Sequence, residues 1–171
     1  GSFSEVSFGI AGNLYIKTGS PVSVVIEGSR GDINEIETYV KDDKLIVRRQ
    51  PGRFFGNVTA DCYITIPSIR GLSVSGSGRA RIEDNLEADV FRVSVSGSGK
   101  AVLAGLTADS FYCTISGSGD AVIEGTGDAD RGNITISGSG SFQGTGFEID
   151  KLTVNISGSG GCDCMAGDEL T

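Results

Sequence analysis

The tetrapeptide Ser-Gly-Ser-Gly occurs five times in this chain, beginning at Ser75, Ser96, Ser116, Ser137 and Ser157. The successive spacings are 21, 20, 21 and 20 residues. A period in this range marks a solenoid or an array, with one structural unit per repeat. The flanking residues fall into columns at fixed phase. Three positions before each first serine stand Leu72, Val93, Cys113, Ile134 and Val154, and one position before it stand Val74, Val95, Ile115, Ile136 and Ile156. Between them lie the polar residues Ser73, Ser94, Thr114, Thr135 and Asn155. Such alternation belongs to a strand with one buried face.

A second alternating stretch follows each tetrapeptide. Its first column is Ala80, Ala101, Ala121, Phe142 and Cys162, and its second is Ile82, Leu103, Ile123, Gly144 and Cys164. Ala88, Ala108, Ala129 and Ile149 form a small-residue column further along, followed by Phe91, Phe111, Gly132 and Leu152. No segment keeps a helical period. A coil of about 20 residues cannot bury its apolar face alone, whereas stacked coils share one core. The columns therefore predict an all-β, single-stranded parallel β-helix with equivalent residues about 4.8 Å apart in successive coils. Val74, Val95, Ile115, Ile136 and Ile156 are expected in one buried stack. Gly supplies the bend conformations at the tetrapeptide corner, and each Ser is expected to bond nearby backbone or the Ser of the next coil. A flexible Gly/Ser linker does not recur at fixed phase between alternating strands.

The first 67 residues are less regular. Val22, Val24 and Ile26 alternate, as do Ile36, Thr38 and Val40, then Leu45 and Val47, then Cys62, Ile64 and Ile66. They read as early coils of the same solenoid and a cap, giving one domain over 1–171 with its regular coils at 68–171. The other reading is a separate N-terminal β-domain. Pro67 suits a bend, since it cannot donate to an interior ladder.

Composition narrows the function classes. Fourteen Lys+Arg against 22 Asp+Glu give a formal charge of −8. Such a chain repels phosphate backbones and anionic bilayers, so nucleic acid is not an expected partner. The absence of His removes Ser-His-Asp and Cys-His catalysis and His-ligated metals. No apolar run reaches the roughly 18 residues of a membrane span. The chain opens Gly-Ser-Phe-Ser with no signal peptide, as a trimmed chain does, which is compatible with an export signal already removed.

The series Leu-Ser-Val-Ser-Gly-Ser-Gly (72–78), Val-Ser-Val-Ser-Gly-Ser-Gly-Lys-Ala-Val (93–102) and Thr-Ile-Ser-Gly-Ser-Gly-Asp-Ala-Val-Ile (114–123) resembles the head GIN domains of auto-transporter adhesins from Bacteroidetes. Tyr-Ile-Thr-Ile-Pro (63–67) and the Leu-Ile-Val strand at 45–47 share that resemblance. It implies a right-handed parallel β-helix exported to the periplasm, outer membrane or cell surface, and no established enzymatic activity.

Four groups of residues invite chemistry. Cys162-Asp163-Cys164 looks like half a metal or redox site, yet structural zinc needs four ligands. Cys62, Cys113, Cys162 and Cys164 all occupy inward apolar columns, where a thiol acts as a small hydrophobe. A disulfide, if formed, would join 162 and 164, with strained geometry. The segment from Gly117 to Ile123 faintly matches a nonapeptide calcium repeat. The positions equivalent to Asp120 hold Arg79, Lys100, Ser141 and Gly161, so no acid ladder forms at that corner. Asp120, Glu124, Asp128 and Asp130 could share a surface suited to a glycosidase or, with calcium, a polysaccharide lyase. A solvated face is the plainer reading. The segment Arg48–Gly56 puts Arg53, Phe54 and Phe55 in a Pro/Gly loop, where adjacent aromatics cannot both face one core.

No catalytic residue, cofactor or metal site is expected from these patterns. The leading class is a non-catalytic exported structural or binding module of adhesin type, with a surface protein or glycan as ligand. The second class is a carbohydrate-active β-helix enzyme using surface carboxylates. A groove with two carboxylates about 5–10 Å apart beside a basic residue would favour the enzyme. The thinly covered coil at 150–170, with Met165 and Leu170, is expected to contact another copy of the chain, end to end or beside the Arg53–Phe55 loop.

Overall fold

A computed structural model gives the fold, and its description covers residues 2–52 and 56–171. Among those residues stand thirteen strands and a four-residue helix, α1 (Arg30–Ile33). The strands are β1 (Glu5–Gly9), β2 (Asn13–Thr18), β3 (Ser23–Gly28), β4 (Ile36–Lys41), β5 (Lys44–Arg49), β6 (Ala60–Ile66), β7 (Gly71–Gly76), β8 (Arg79–Gly97), β9 (Lys100–Gly117), β10 (Asp120–Ile123), β11 (Gly127–Gly138), β12 (Ser141–Gly158) and β13 (Gly161–Leu170). From β7 onward every pairing is parallel, coil upon coil. The long strands turn corners as they go, so each contributes to more than one side of a β-solenoid.

The register reproduces the sequence columns. Val74 pairs with Val95, Val95 with Ile115, Ile115 with Ile136 and Ile136 with Ile156. Ala80, Ala101, Ala121, Phe142 and Cys162 likewise follow one another. Where a column lacks a side chain, a neighbour fills the space. Ile149 occupies the room beside Gly132, and Phe142 and Phe147 close around Gly144. Phe111 packs against Phe142 and Phe147 with ring centroids 5.6 and 5.3 Å away, the second edge to face. Such pairs add to the stabilisation from area burial.

Both glycines of the tetrapeptide have physical reasons. The first, at 76, 97, 117, 138 and 158, has φ between 113° and 151°, a conformation that L side chains rarely adopt. The second is a close-approach glycine. A Cβ at Gly119 would lie 2.3 Å from the Gly99 carbonyl oxygen and 2.7 Å from Val95 Cγ1. Gly99, Gly140 and Gly160 repeat that arrangement against the coil beneath. The corner serines stack in register from Ser75 to Ser157, with their side chains exposed. Backbone bonds join the corners: the Ser118 and Gly119 amides donate to the Gly97 carbonyl at 2.9 and 3.0 Å. With the alternate glycines turned against the stack, the hydroxyls are left facing water.

One expectation needs correction at the last coil. Val74, Val95, Ile115 and Ile136 are buried, but Ile156 is 44% exposed. It stacks in register on Ile136, while β13 pairs with β12 no further than Leu152, so the outer side of Ile156 is uncovered. The strands of the first 67 residues stack in an order that differs from chain order. β1 and β2 form a coil directly beneath β7 and the start of β8. β5 and β6 pass back underneath that coil, parallel to β1 and β2. β3 and β4 then lie antiparallel on β6 and β5 at the end of the stack. The β4–β5 hairpin turns through Asp42 and Asp43, with φ of 51° and 63°, which matches the twist of a two-residue hairpin. Thr18 N–H and Oγ1–H both donate to the Asp84 carboxylate, at 2.6 and 3.0 Å, tying this inserted coil to the one above.

Gly119→Ala should therefore lower the thermal midpoint severely, whereas Gly161→Ala, whose Cβ meets nothing within 4 Å, should leave it nearly unchanged. Ile115→Asp should cost several kcal/mol, because an unpaired charge would enter the shared core. Thermal melts followed by circular dichroism check all three; equal melts for Gly119→Ala and Gly161→Ala would refute the corner-packing account.

Candidate functional site: a cationic groove on one strand face

The face built from β6, β2, the first residues of β8 and β9, β10 and the start of β12 carries two outward columns. One runs Asn13, Arg79, Lys100, Asp120 and Ser141. The other runs Tyr63, Tyr15, Arg81, Val102, Val122 and Gln143. Period-2 alternation puts both columns outside, because Leu14, Ala80, Ala101 and Ala121 between them point inward. A groove of about 250 Å³ lies here, lined by Asn13, Tyr15, Arg79, Arg81, Lys100 and Glu124 among others. A second hollow of about 330 Å³ shares Tyr15 and adds Lys17, Tyr63, Thr65 and Glu83.

The groups in this groove differ in how they are compensated. Arg81 pairs with Glu124 at 2.8 Å, and Lys17 with Glu83 at 3.3 Å. Arg79 and Lys100 are register partners on adjacent coils and make no ion pair among the described residues. Asp120 follows on the next coil, but its carboxylate accepts from Ser141 N–H at 3.1 Å and Ser141 Oγ–H at 2.7 Å. Like charges directly opposite across a ladder repel. The Tyr15 and Tyr63 rings stack at 5.3 Å between centroids and 16° between planes. Desolvation first, then the charges of Glu27 and Asp61 and the neighbouring Tyr15, push the Tyr63 phenol upward, so it remains a hydrogen-bond donor.

The acids expected to gather do so only in part. Asp120 and Glu124 lie on the groove face, whereas Asp128 and Asp130 lie on another side. The register there places Asp128 between Thr107 and Glu148. It also brings the residue after Ala88, Ala108, Ala129 and Ile149 into one line: Asp89, Asp109, Asp130 and Asp150, all exposed. Sequence reading missed this column, although each Asp stands seven positions before a tetrapeptide. A groove of about 670 Å³ beside it is lined by Glu87, Asp128, Glu148 and Met165, with no Lys or Arg in the lining. The basic residue asked of an enzyme site is thus not in that lining. Among the described residues, no three His, Cys, Asp or Glu side chains converge closely enough to hold a metal ion.

The remaining sequence candidates separate. Arg53, Phe54 and Phe55 lie outside the described residues. At the base of their loop, Arg48 bonds Glu37 at 3.0 Å and covers the Tyr39 ring, and Arg49 donates to Glu35 and to the Gly56 carbonyl. Met165 and Leu170 are 46% and 66% exposed on the last strand. Cys62 and Cys113 are buried, as their columns require, and desolvation pushes their thiols up to about 11 and about 12. Cys162 and Cys164 are half-buried, both sulfurs in the thiol form, with Sγ atoms 3.4 Å apart. The hydrogen bond between them raises the Cys162 thiol and lowers that of Cys164.

A family model described as "Putative auto-transporter adhesin, head GIN domain" matches residues 2–171. No curated protein matches significantly. Solved structures of similar fold include a putative adhesin from Parabacteroides merdae, at TM-score 0.73 and 15% identity over 96% of this chain and 77% of that one. A putative adhesin from Parabacteroides distasonis aligns at TM-score 0.72 and 21% identity, covering 97% and 79%. A putative lipid binding protein from the same species aligns at TM-score 0.67 and 16% identity, covering 99% and 93%.

The thiol environments predict an order of reactivity. In brief alkylation near neutral pH, the half-buried Cys162–Cys164 pair should be labelled first, since the thiolate is the nucleophile and one thiol of the pair can donate to the other's thiolate. Cys62 and Cys113 should stay unlabelled until the protein unfolds. Peptide mass spectrometry reads the order; early labelling of Cys113 would contradict it.

Proposed function

Because the chain belongs to the auto-transporter adhesin head GIN family along residues 2–171, we propose that it serves outside the cytoplasm as a non-catalytic binding module of a cell surface. The observation that carries this reading is the outer surface of the solenoid. It displays outward columns of Ser, Thr, Asn, Arg, Lys, Tyr and Asp at one spacing, all held by a backbone ladder. Side chains on rigid strands are positioned more closely than side chains on loops, which suits recognition of an extended partner. Family membership supports an exported setting and a role in attachment. The fold supplies the rigid scaffold but does not by itself choose a ligand.

A glycan and host-matrix array, run beside a polysaccharide turnover screen, tests this function. Saturable binding to an immobilised ligand without turnover is the expected result. Release of sugar fragments by the purified protein would replace it with the enzymatic reading.

The end of the stack formed by β12 and β13 extends the proposal to self-association. Ile156, Met165 and Leu170 are exposed there, and the outer edge of β13 offers backbone groups for pairing. A second copy of the chain docking on this end would cover them. Sedimentation velocity should show a concentration-dependent dimer for the wild type and a monomer for Met165→Lys/Leu170→Lys. A wild type that remains monomeric at high micromolar concentration would rule out the dimer.

A further inference from the structure

We propose that the groove around Arg79 and Lys100 binds an anionic polysaccharide, carboxylated or sulfated, lying along the axis of the solenoid. The inference rests on the reading of the protein as a surface binding module. It starts from a mismatch of charge. The chain is strongly acidic, yet Arg79 and Lys100 stand side by side on adjacent coils with no ion pair among the described residues. Their neighbours Arg81 and Lys17 are paired with Glu124 and Glu83. The nearest acid in their own column, Asp120, is the register partner of Lys100 but turns Oδ1 to Ser141 and makes no ion pair among the described residues. An anionic group seated between Arg79 and Lys100 would remove the repulsion and gain charge-assisted hydrogen bonds.

The surroundings select among anions. Tyr15 and Tyr63 extend the groove toward the N-terminal end of the stack. Their rings face each other, and Tyr15 is followed in register by Arg81, Tyr63 by Val25. One face of each ring is covered by the other, and the net charge of −8 disfavours a nucleic acid. The two phenol hydroxyls are donors suited to sugar hydroxyls. Around Arg79 and Lys100 the apolar lining residues Leu14 and Val102 are buried, so that part of the groove has no exposed apolar floor for an acyl chain. The coil repeat of about 4.8 Å is comparable to the length of one sugar residue, so a linear chain along the axis meets a new coil with each residue.

Affinity electrophoresis in native gels containing polygalacturonate, heparin or neutral dextran tests the assignment. Two variants are compared with the wild type. Arg79→Gln/Lys100→Gln alters the groove, and Arg131→Gln/Lys151→Gln removes the same charge from register partners on another side. Thermal melts establish that both are folded. The wild type should be retarded by polygalacturonate, heparin or both, with dextran inert, and the two acidic gels distinguish carboxylate from sulfate. The groove variant should lose about tenfold or more in affinity, as expected for removal of charge-assisted contacts, while the control variant keeps wild-type retardation. Equal loss in both variants, or no retardation of the wild type, overturns the proposal. So does sedimentation of the wild type with phosphatidylglycerol vesicles but no retardation by either polysaccharide, which would assign the cations to a lipid headgroup. If an array ligand binds the groove variant as well as the wild type, the surface-module reading stands and this inference falls.

Discussion

The structure depends on how closely successive coils approach at the Ser-Gly-Ser-Gly corner. There the second glycine of one coil rests on the carbonyl of the same glycine in the coil beneath, with no room for a methyl group. The first glycine supplies the backbone angle that turns the chain. Once the corners touch, the flanking strands are held at ladder distance, and the inward Val and Ile residues stack whatever their neighbours are. The core tolerates Ala, Phe and Cys in one column because adjacent columns exchange volume, as Ile149 does beside Gly132. The corner has no such freedom.

That contrast explains what the sequence made legible. From residue 71 onward the pitch is set by the backbone, so counting from each tetrapeptide predicts the register, including the inward Cys62-type thiols of 113, 162 and 164. The N-terminal part could not be read in this way. Its outcome turns on β5 and β6 passing beneath β1 and β2, contacts between residues 39 and 48 positions apart with no repeated phase between them. The stacked Tyr15–Tyr63 pair is a product of that passage and was invisible for the same reason. Arg79 and Lys100 were visible as residues that break an acid ladder at the Asp120 corner. Their importance as adjacent cations emerged only when the groove and its paired neighbours were seen. The aspartate column was legible in phase, but Asp130 reads first as a neighbour of Asp120, Glu124 and Asp128 in its own coil, and only the register aligns it with Asp89, Asp109 and Asp150.

Charge on this molecule is sorted by side. A net charge of −8 describes no particular surface. One line collects Asp89, Asp109, Asp130 and Asp150, while the groove face collects Arg79, Lys100 and, in the neighbouring column, Arg81. A solenoid makes such sorting simple, since a residue type placed once per coil at one phase becomes a stripe. Surface and core thus follow the same rule of phase, with different consequences: inward columns set stability, outward columns set what the molecule attracts or repels.

The antiparallel strands β3 and β4 give the stack a head. They close the end below β5 and β6 by reversing direction, whereas each coil above repeats the one before it. The molecule is therefore built like a bolt, with a fixed head and a shaft of interchangeable threads. Duplicating or deleting one whole thread in the shaft would change its length while leaving the head, the corner contacts and the phase of every stripe intact. Reach is then a quantity that evolution can adjust in whole-coil steps without redesigning the fold.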